Sequence, residues 1–161
     1  MNTPYQTWPQ QGDLINVTRV LPVTVADGAT VPRRAHPTDA GLDLAAHREV
    51  TIGPKETVIV GTGNAAAIRP GAVGLLAGRS SLPLKYDGVT LANNVGILDS
   101  PYRGEIGVIL RNASDVPVTI PAGERIAQLL IIPIEIPEVV VVDELPASGR
   151  GAGGFGSTGR N

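Results

Sequence analysis

Val116-Pro117-Val118-Thr119-Ile120-Pro121 alternates strictly between a β-branched apolar residue and Pro or Thr. A two-residue period puts Val116, Val118 and Ile120 on one face of an extended strand. Pro117 withdraws a ladder donor, which assigns the strand to a sheet edge or a bulge. Working outward, similar short runs recur along the chain. Candidate strands are Leu14–Leu21, Thr57–Val60, Gly71–Leu76, Gly88–Leu91, Glu105–Arg111, Val116–Ile120, Ile126–Ile132 and Glu138–Val142. Gly, Pro and Asn turn signals separate them at a spacing of roughly ten residues, the pattern of a β-sandwich or barrel. No segment holds a long 3.6-residue periodicity, although one short helix is expected around Ser80–Lys85. There is no internal repeat. The expected class is all-β.

At 161 residues the chain has about the length of one domain. Its 42% hydrophobic and 17% charged residues support an ordinary packed core. A net charge of −2 gives no reason to expect nucleic acid or an anionic membrane as a partner. Any polyanion handled here must be small and met by a few placed cations. The absence of cysteine excludes disulfides and thiolate metal sites. His36 and His47 alone are too few for a His-rich zinc centre and read as surface or capping residues. No signal peptide pattern opens the sequence, and no apolar run approaches the ~20 residues that cross a bilayer. A cytoplasmic protein is expected.

Composition divides the chain into an N-terminal arm over residues 1–12, a β domain over 13–144 and a C-terminal arm over 145–161. The end of that arm, Gly149-Arg150-Gly151-Ala152-Gly153-Gly154-Phe155-Gly156-Ser157-Thr158-Gly159-Arg160-Asn161, has almost no core-forming side chains. By composition it should be a mobile tail. Phe155 does not fit that bland reading. It is the only Phe in the protein, and no local core exists for it to join.

Five segments stand out for chemistry. They are Asp39-Ala40-Gly41-Leu42-Asp43-Leu44-Ala45-Ala46, Gly78-Arg79-Ser80-Ser81-Leu82, Gly96-Ile97-Leu98-Asp99-Ser100-Pro101-Tyr102-Arg103-Gly104-Glu105-Ile106, Gly123-Glu124-Arg125-Ile126-Ala127-Gln128-Leu129 and Arg150-Gly151-Ala152-Gly153-Gly154-Phe155-Gly156-Ser157-Thr158-Gly159. Taken in order, they resemble the five motifs of the trimeric dUTPase family. The resemblance implies a jelly-roll-like distorted β-barrel assembled as a homotrimer with shared active sites. The implied activity is hydrolysis of dUTP to dUMP and pyrophosphate with Mg²⁺, which keeps uracil out of DNA and supplies dUMP for dTMP synthesis.

The residues themselves admit plainer and sharper readings. Asp99 could close an Asx turn with Ser100. Ionised at neutral pH, it could equally act as general base, and the resemblance gives it the water that attacks the α-phosphorus. Tyr102 could be a half-buried strand aromatic; the resemblance packs it on the deoxyribose, where a 2′-hydroxyl would not fit. The hairpin bearing Asn93, Gly96 and Ile97 resembles the one that reads the uracil edge. Such hydrogen-bonded recognition can reject a mispaired base by about 10⁴.

A triphosphate needs cations and N–H donors converging on it. Arg79 with Ser80 and Ser81 offers one such set, and Arg150 with Ser157 and Thr158 a second. Glycines, Gly156 among them, let backbone approach phosphate oxygens. Gln128 is an amide in an apolar strand and needs partners; the resemblance places it near the α-phosphate. Phe155 would stack on uracil, worth ~1–3 kcal/mol, with the tail closing as a lid.

Mg²⁺ keeps its waters and seldom uses an all-protein cage. By resemblance Asp43 would hold it through water, although a turn-capping role is the alternative. Asp39, before a Gly turn, should shape its loop. Two features depart from the family pattern: Pro101 stiffens the catalytic turn, and residues 1–12 have no counterpart in the motifs. Rival readings are a dCTP deaminase-like enzyme and a catalytically silent nucleotide-binding regulatory module.

Overall fold

The structure, a computed structural model, describes residues 20–149 and 151–152. Among these, eleven short strands and one helix follow in the order β1 (Val23–Val25), β2 (Leu42–Ala45), β3 (Val50–Ile52), β4 (Thr57–Gly61), β5 (Asn64–Ala66), β6 (Ala72–Gly78), α1 (Ser81–Lys85), β7 (Val89–Leu91), β8 (Val95–Leu98), β9 (Gly107–Asn112), β10 (Val118–Ile120) and β11 (Arg125–Pro133). Every pairing is antiparallel. The strands form four sheets with the orders β1-β5, β10-β3, β2-β11-β6-β8 and β4-β9-β7.

Period-two alternation explains how these small sheets become one body. β6 turns Ala72, Gly74 and Leu76 inward, while β9 turns in Val108, Leu110 and Asn112. Leu44, Ile52, Ala66, Val60, Val89, Ile120, Ile126 and Leu129 join the same cluster, so all four sheets contribute to a single core. This is the expected all-β, jelly-roll-like barrel. Asn112 is a buried polar node within it. Its amide donates to the carbonyls of Ile52, Gly53 and Val116, and its Oδ1 accepts from Ser114. A satisfied buried amide is a specific strut rather than a penalty.

Pro117 behaves as its chemistry requires. The strand begins one residue later, at Val118, and pairs only with β3. The expected helix forms over Ser81–Lys85, anchored by buried Leu82. β1, β2, β3, β5 and β8 carry no long apolar run, and only register with partners distant in sequence makes them strands. Two expectations do not hold as drawn. Val20 and Leu21 lie ahead of β1 rather than in a strand, and the rest of Leu14–Leu21 falls outside the described residues. Glu138–Val142 is not a strand either. Ile134 N–H donates to Gly71 O, but beyond it Val139 and Val141 are 87% and 93% exposed. A strand needs a neighbouring edge for its ladder, and among the described residues none pairs with this segment. No helix of the described residues is long and apolar enough to cross a membrane.

Candidate active site

β2 and β6 flank β11 in the four-stranded sheet, and this adjacency assembles a polar cluster at one end of it. Gln128 sits opposite Asp43 on one side and Ala77 on the other. Arg79 follows the last residue of β6. The Asp43 carboxylate is therefore bracketed by two guanidiniums: Arg79 Nε donates to Oδ1 at 2.8 Å and Arg125 Nη1 to Oδ2 at 2.9 Å. The side chains of Asp43 and Arg79 are only 14% and 17% exposed. Paired, charge-assisted contacts at low exposure hold a guanidinium in one orientation. Arg79 Nη1 also donates to Ser81 Oγ at 3.4 Å, while Ser80 makes no side-chain capping bond at the start of α1.

Gln128 has the partner its chemistry demands. Its Nε2 donates to Gly78 O at 3.1 Å, fixing the end of β6 beside Arg79. Gly41 packs so closely that any side chain there would strike Gln128 Oε1. Asp39 does shape its loop: Oδ2 accepts from His36 N–H at 2.8 Å and its backbone carbonyl from Arg34 Nε at 2.6 Å. Arg125 is the cation that sequence reasoning missed. A charged residue opening a strand reads as solvated, and only the β11–β2 register reveals that it reaches Asp43.

The other half of the expected site lies elsewhere. β8 runs antiparallel to β6, with Val95 opposite Ala77 and Leu98 opposite Gly74. Asn93 thus sits at the Arg79 end of the sheet. Asp99, following Leu98, sits at the far end. Leu98 faces Gly74 and Asp99 lies one position beyond, so six positions at ~3.3 Å each put Asp99 on the order of 20 Å from Arg79 along the sheet. Within one chain the two do not meet.

The Asp99 turn is closed by backbone, Tyr102 N–H donating to Asp99 O at 3.0 Å. Among the described residues no hydrogen bond or ion pair engages the exposed Asp99 carboxylate, so the Asx-turn reading is not what forms. Tyr102 is 46% exposed and lies in the loop after the turn rather than in a strand, its hydroxyl donating to Glu105 O at 2.9 Å. Gly96 is buried against Leu76 while Ile97 points outward, 59% exposed. Asn93 is exposed in the corner between β7 and β8. Next to it, Asn94 has a φ of 56°, and Val95 N–H donates to Asn93 O at 2.5 Å across it. Arg150, Phe155, Gly156, Ser157 and Thr158 lie outside the described residues.

A surface cavity of about 570 Å³ lined by Thr24, His47, Arg48, Asn64 and Glu105 contains none of these residues. Among the described residues no three acidic or His side chains converge as a metal cage. Asp43 brings both of its carboxylate oxygens to the cluster. Each accepts one arginine bond and keeps a second lone-pair direction. That donor set suits an ion that retains its own water and takes its remaining ligands from phosphate.

Comparison with known proteins places this geometry. Residues 27–159 match the dUTPase family model. A deoxyuridine 5′-triphosphate nucleotidohydrolase from Anaeromyxobacter is 48% identical over 130 residues, 81% of this chain and 88% of the relative. The dUTPase of Staphylococcus bacteriophage 80alpha, solved with dUpNHpp, superposes with a TM-score of 0.81 at 32% identity, covering 89% of this chain and all (100%) of that one. A point-mutant dUTPase from the S. aureus phage phi11, described with a structural Mg(II) ion, gives a TM-score of 0.71 at 28% identity and covers 78% of this chain and 97% of its own.

Proposed function

This chain belongs to the dUTPase family, and from that premise we propose that it is a dUTP diphosphatase. It hydrolyses dUTP to dUMP and pyrophosphate in active sites shared by three copies. The observation that carries the reading is the two-ended arrangement of one sheet. A preset cluster of Asp43, Arg79, Arg125 and Gln128 occupies one end, and an exposed carboxylate, Asp99, the other. About 20 Å apart in one chain, they become neighbours only when copies pack side by side, which supports sites shared between copies; the number three comes from the family resemblance.

In the reaction Asp99 accepts a proton from water as its oxygen bonds to the α-phosphorus. The bond from that phosphorus to the bridging oxygen breaks, and pyrophosphate departs. Asp99 is exposed, so water reaches its carboxylate, the group that takes the proton as general base. Arg79, oriented by Asp43, presents its free guanidinium edge to the phosphates, with Ser80 and Ser81 beside it. Gln128 holds the neighbouring strand end close to the α-phosphate. Bound Mg²⁺ would neutralise polyphosphate charge, held through water by Asp43. The corner at Asn93, Gly96 and Ile97 reads uracil, and Tyr102 closes on the deoxyribose. In the C-terminal arm, Arg150, Ser157, Thr158 and Gly156 meet the phosphates while Phe155 stacks on the base. The 13–144 domain with its two arms, working in the cytoplasm, belongs to the same reading.

The test is a substrate panel. Each deoxynucleoside triphosphate and UTP is offered with Mg²⁺, and pyrophosphate and ammonia are assayed. Pyrophosphate from dUTP alone is expected. Ammonia from dCTP would replace the reading with a deaminase, and binding without product would replace it with a silent regulatory module.

A further inference from the structure

Three elements carry the phosphate-side cluster: β2 with Asp43, the start of α1 with Arg79 to Ser81, and β11 with Arg125 and Gln128. One residue outside that cluster is tied to each of these elements: Glu124 precedes β11, bonds the residue after β2 and holds the far end of α1. Glu124 ends a turn that Gly123 makes possible with a φ of 80°, where Glu124 N–H donates to Pro121 O at 3.2 Å. Its backbone carbonyl accepts from Ala46 N–H at 2.8 Å, while Gly123 N–H donates to Ala46 O at 2.8 Å, so the turn is stitched to the end of β2. Its side chain reaches the other way. Oε2 pairs with Lys85 Nζ and accepts from Tyr86 OH at 3.0 Å, gripping the last turn of α1. The next residue, Arg125, opens β11.

α1 has need of such a grip. Five residues make too short a helix to persist by its own hydrogen bonds, and Ser80 supplies no side-chain cap at its start. Buried Leu82 pins its first turn. At its end, the Glu124 side chain is 17% exposed and linked to two partners. The electrostatics agree with the geometry. Burial pushes the Glu124 carboxyl up, but the Lys85 and Tyr86 hydrogen bonds outweigh it and hold the group below its usual range. Lys85, hydrogen-bonded to Glu124, is held above its own.

We propose that Glu124 is a positioning residue for phosphate binding: through Lys85 and Tyr86 it sets α1, and with it the Arg79–Ser81 turn, against the Asp43 and Gln128 strands. This rests on the reading that Arg79 meets the triphosphate. With the clamp released, the turn drifts relative to Asp43, and the guanidinium no longer aims at substrate.

Steady-state kinetics with dUTP tests it on the full chain. Glu124→Ala should raise KM about tenfold, with kcat within about threefold of wild type. The exchanged pair Lys85→Glu with Glu124→Lys should recover most of the lost affinity. If Glu124→Ala does not fold, Lys85→Met and Tyr86→Phe together read the same clamp from its other side. A merely structural role would lower the fraction of active protein, so kcat would fall at unchanged KM. That pattern, or unaltered constants, would overturn the assignment of Glu124 alone. Wild-type protein that does not hydrolyse dUTP would instead overturn the reading on which it stands.

Discussion

Asp99 shows how a residue can stand out in a sequence while its surroundings do not. Its type and position before Tyr102 marked it as a base, but nothing local revealed that its carboxylate would stand exposed at the end of β8 with its turn closed by backbone. Replacing it with Asn keeps shape and removes basicity. Asp99→Asn should lower kcat by about 10²–10⁴-fold while equilibrium binding of dUpNHpp stays within a few-fold of wild type. Unchanged turnover would reject Asp99 as the base. Gln128 was equally legible, since an amide in an apolar strand must find partners. Arg125 was not: its link to Asp43 spans 82 positions of sequence, and only sheet register brings the two together.

Among the elements, strands with clear alternation, such as β6, β9 and β11, were readable because one face is core and the other is not. β5, Asn64-Ala65-Ala66, was hidden because its pairing with β1, rather than its side chains, makes it a strand. Glu138–Val142 failed in the opposite direction, being strongly β-forming yet paired with no described strand. The clamp between α1 and the turn before β11 yields a pH prediction. The Glu124 carboxyl is held below its ordinary 4.5, so the stability it contributes is complete above that value and is lost as acid titrates the folded group. Lys85 is held above 10.5, so its contribution is complete below 10.5 and is lost as pH rises through the folded value. Thermal melts should therefore show wild type more stable than Glu124→Gln across about pH 5 to 10, with the gap closing in stronger acid. A gap that persists unchanged at pH 3 would count against the ionic clamp.

At the scale of the molecule, composition and turn spacing established the all-β class, and the five motifs pointed to the barrel and its chemistry. Neither showed that the motifs divide between opposite ends of one sheet, because that follows from the antiparallel register of β6 with β8. The most direct test mixes two inactive chains. Arg79→Ala and Asp99→Asn proteins are unfolded together, refolded at equal amounts and assayed for pyrophosphate release from dUTP. If each site takes Arg79 from one copy and Asp99 from another, random assembly restores about a quarter of wild-type activity. A mixture shown to contain both chains in one assembly, yet as inactive as either parent, would contradict the shared site.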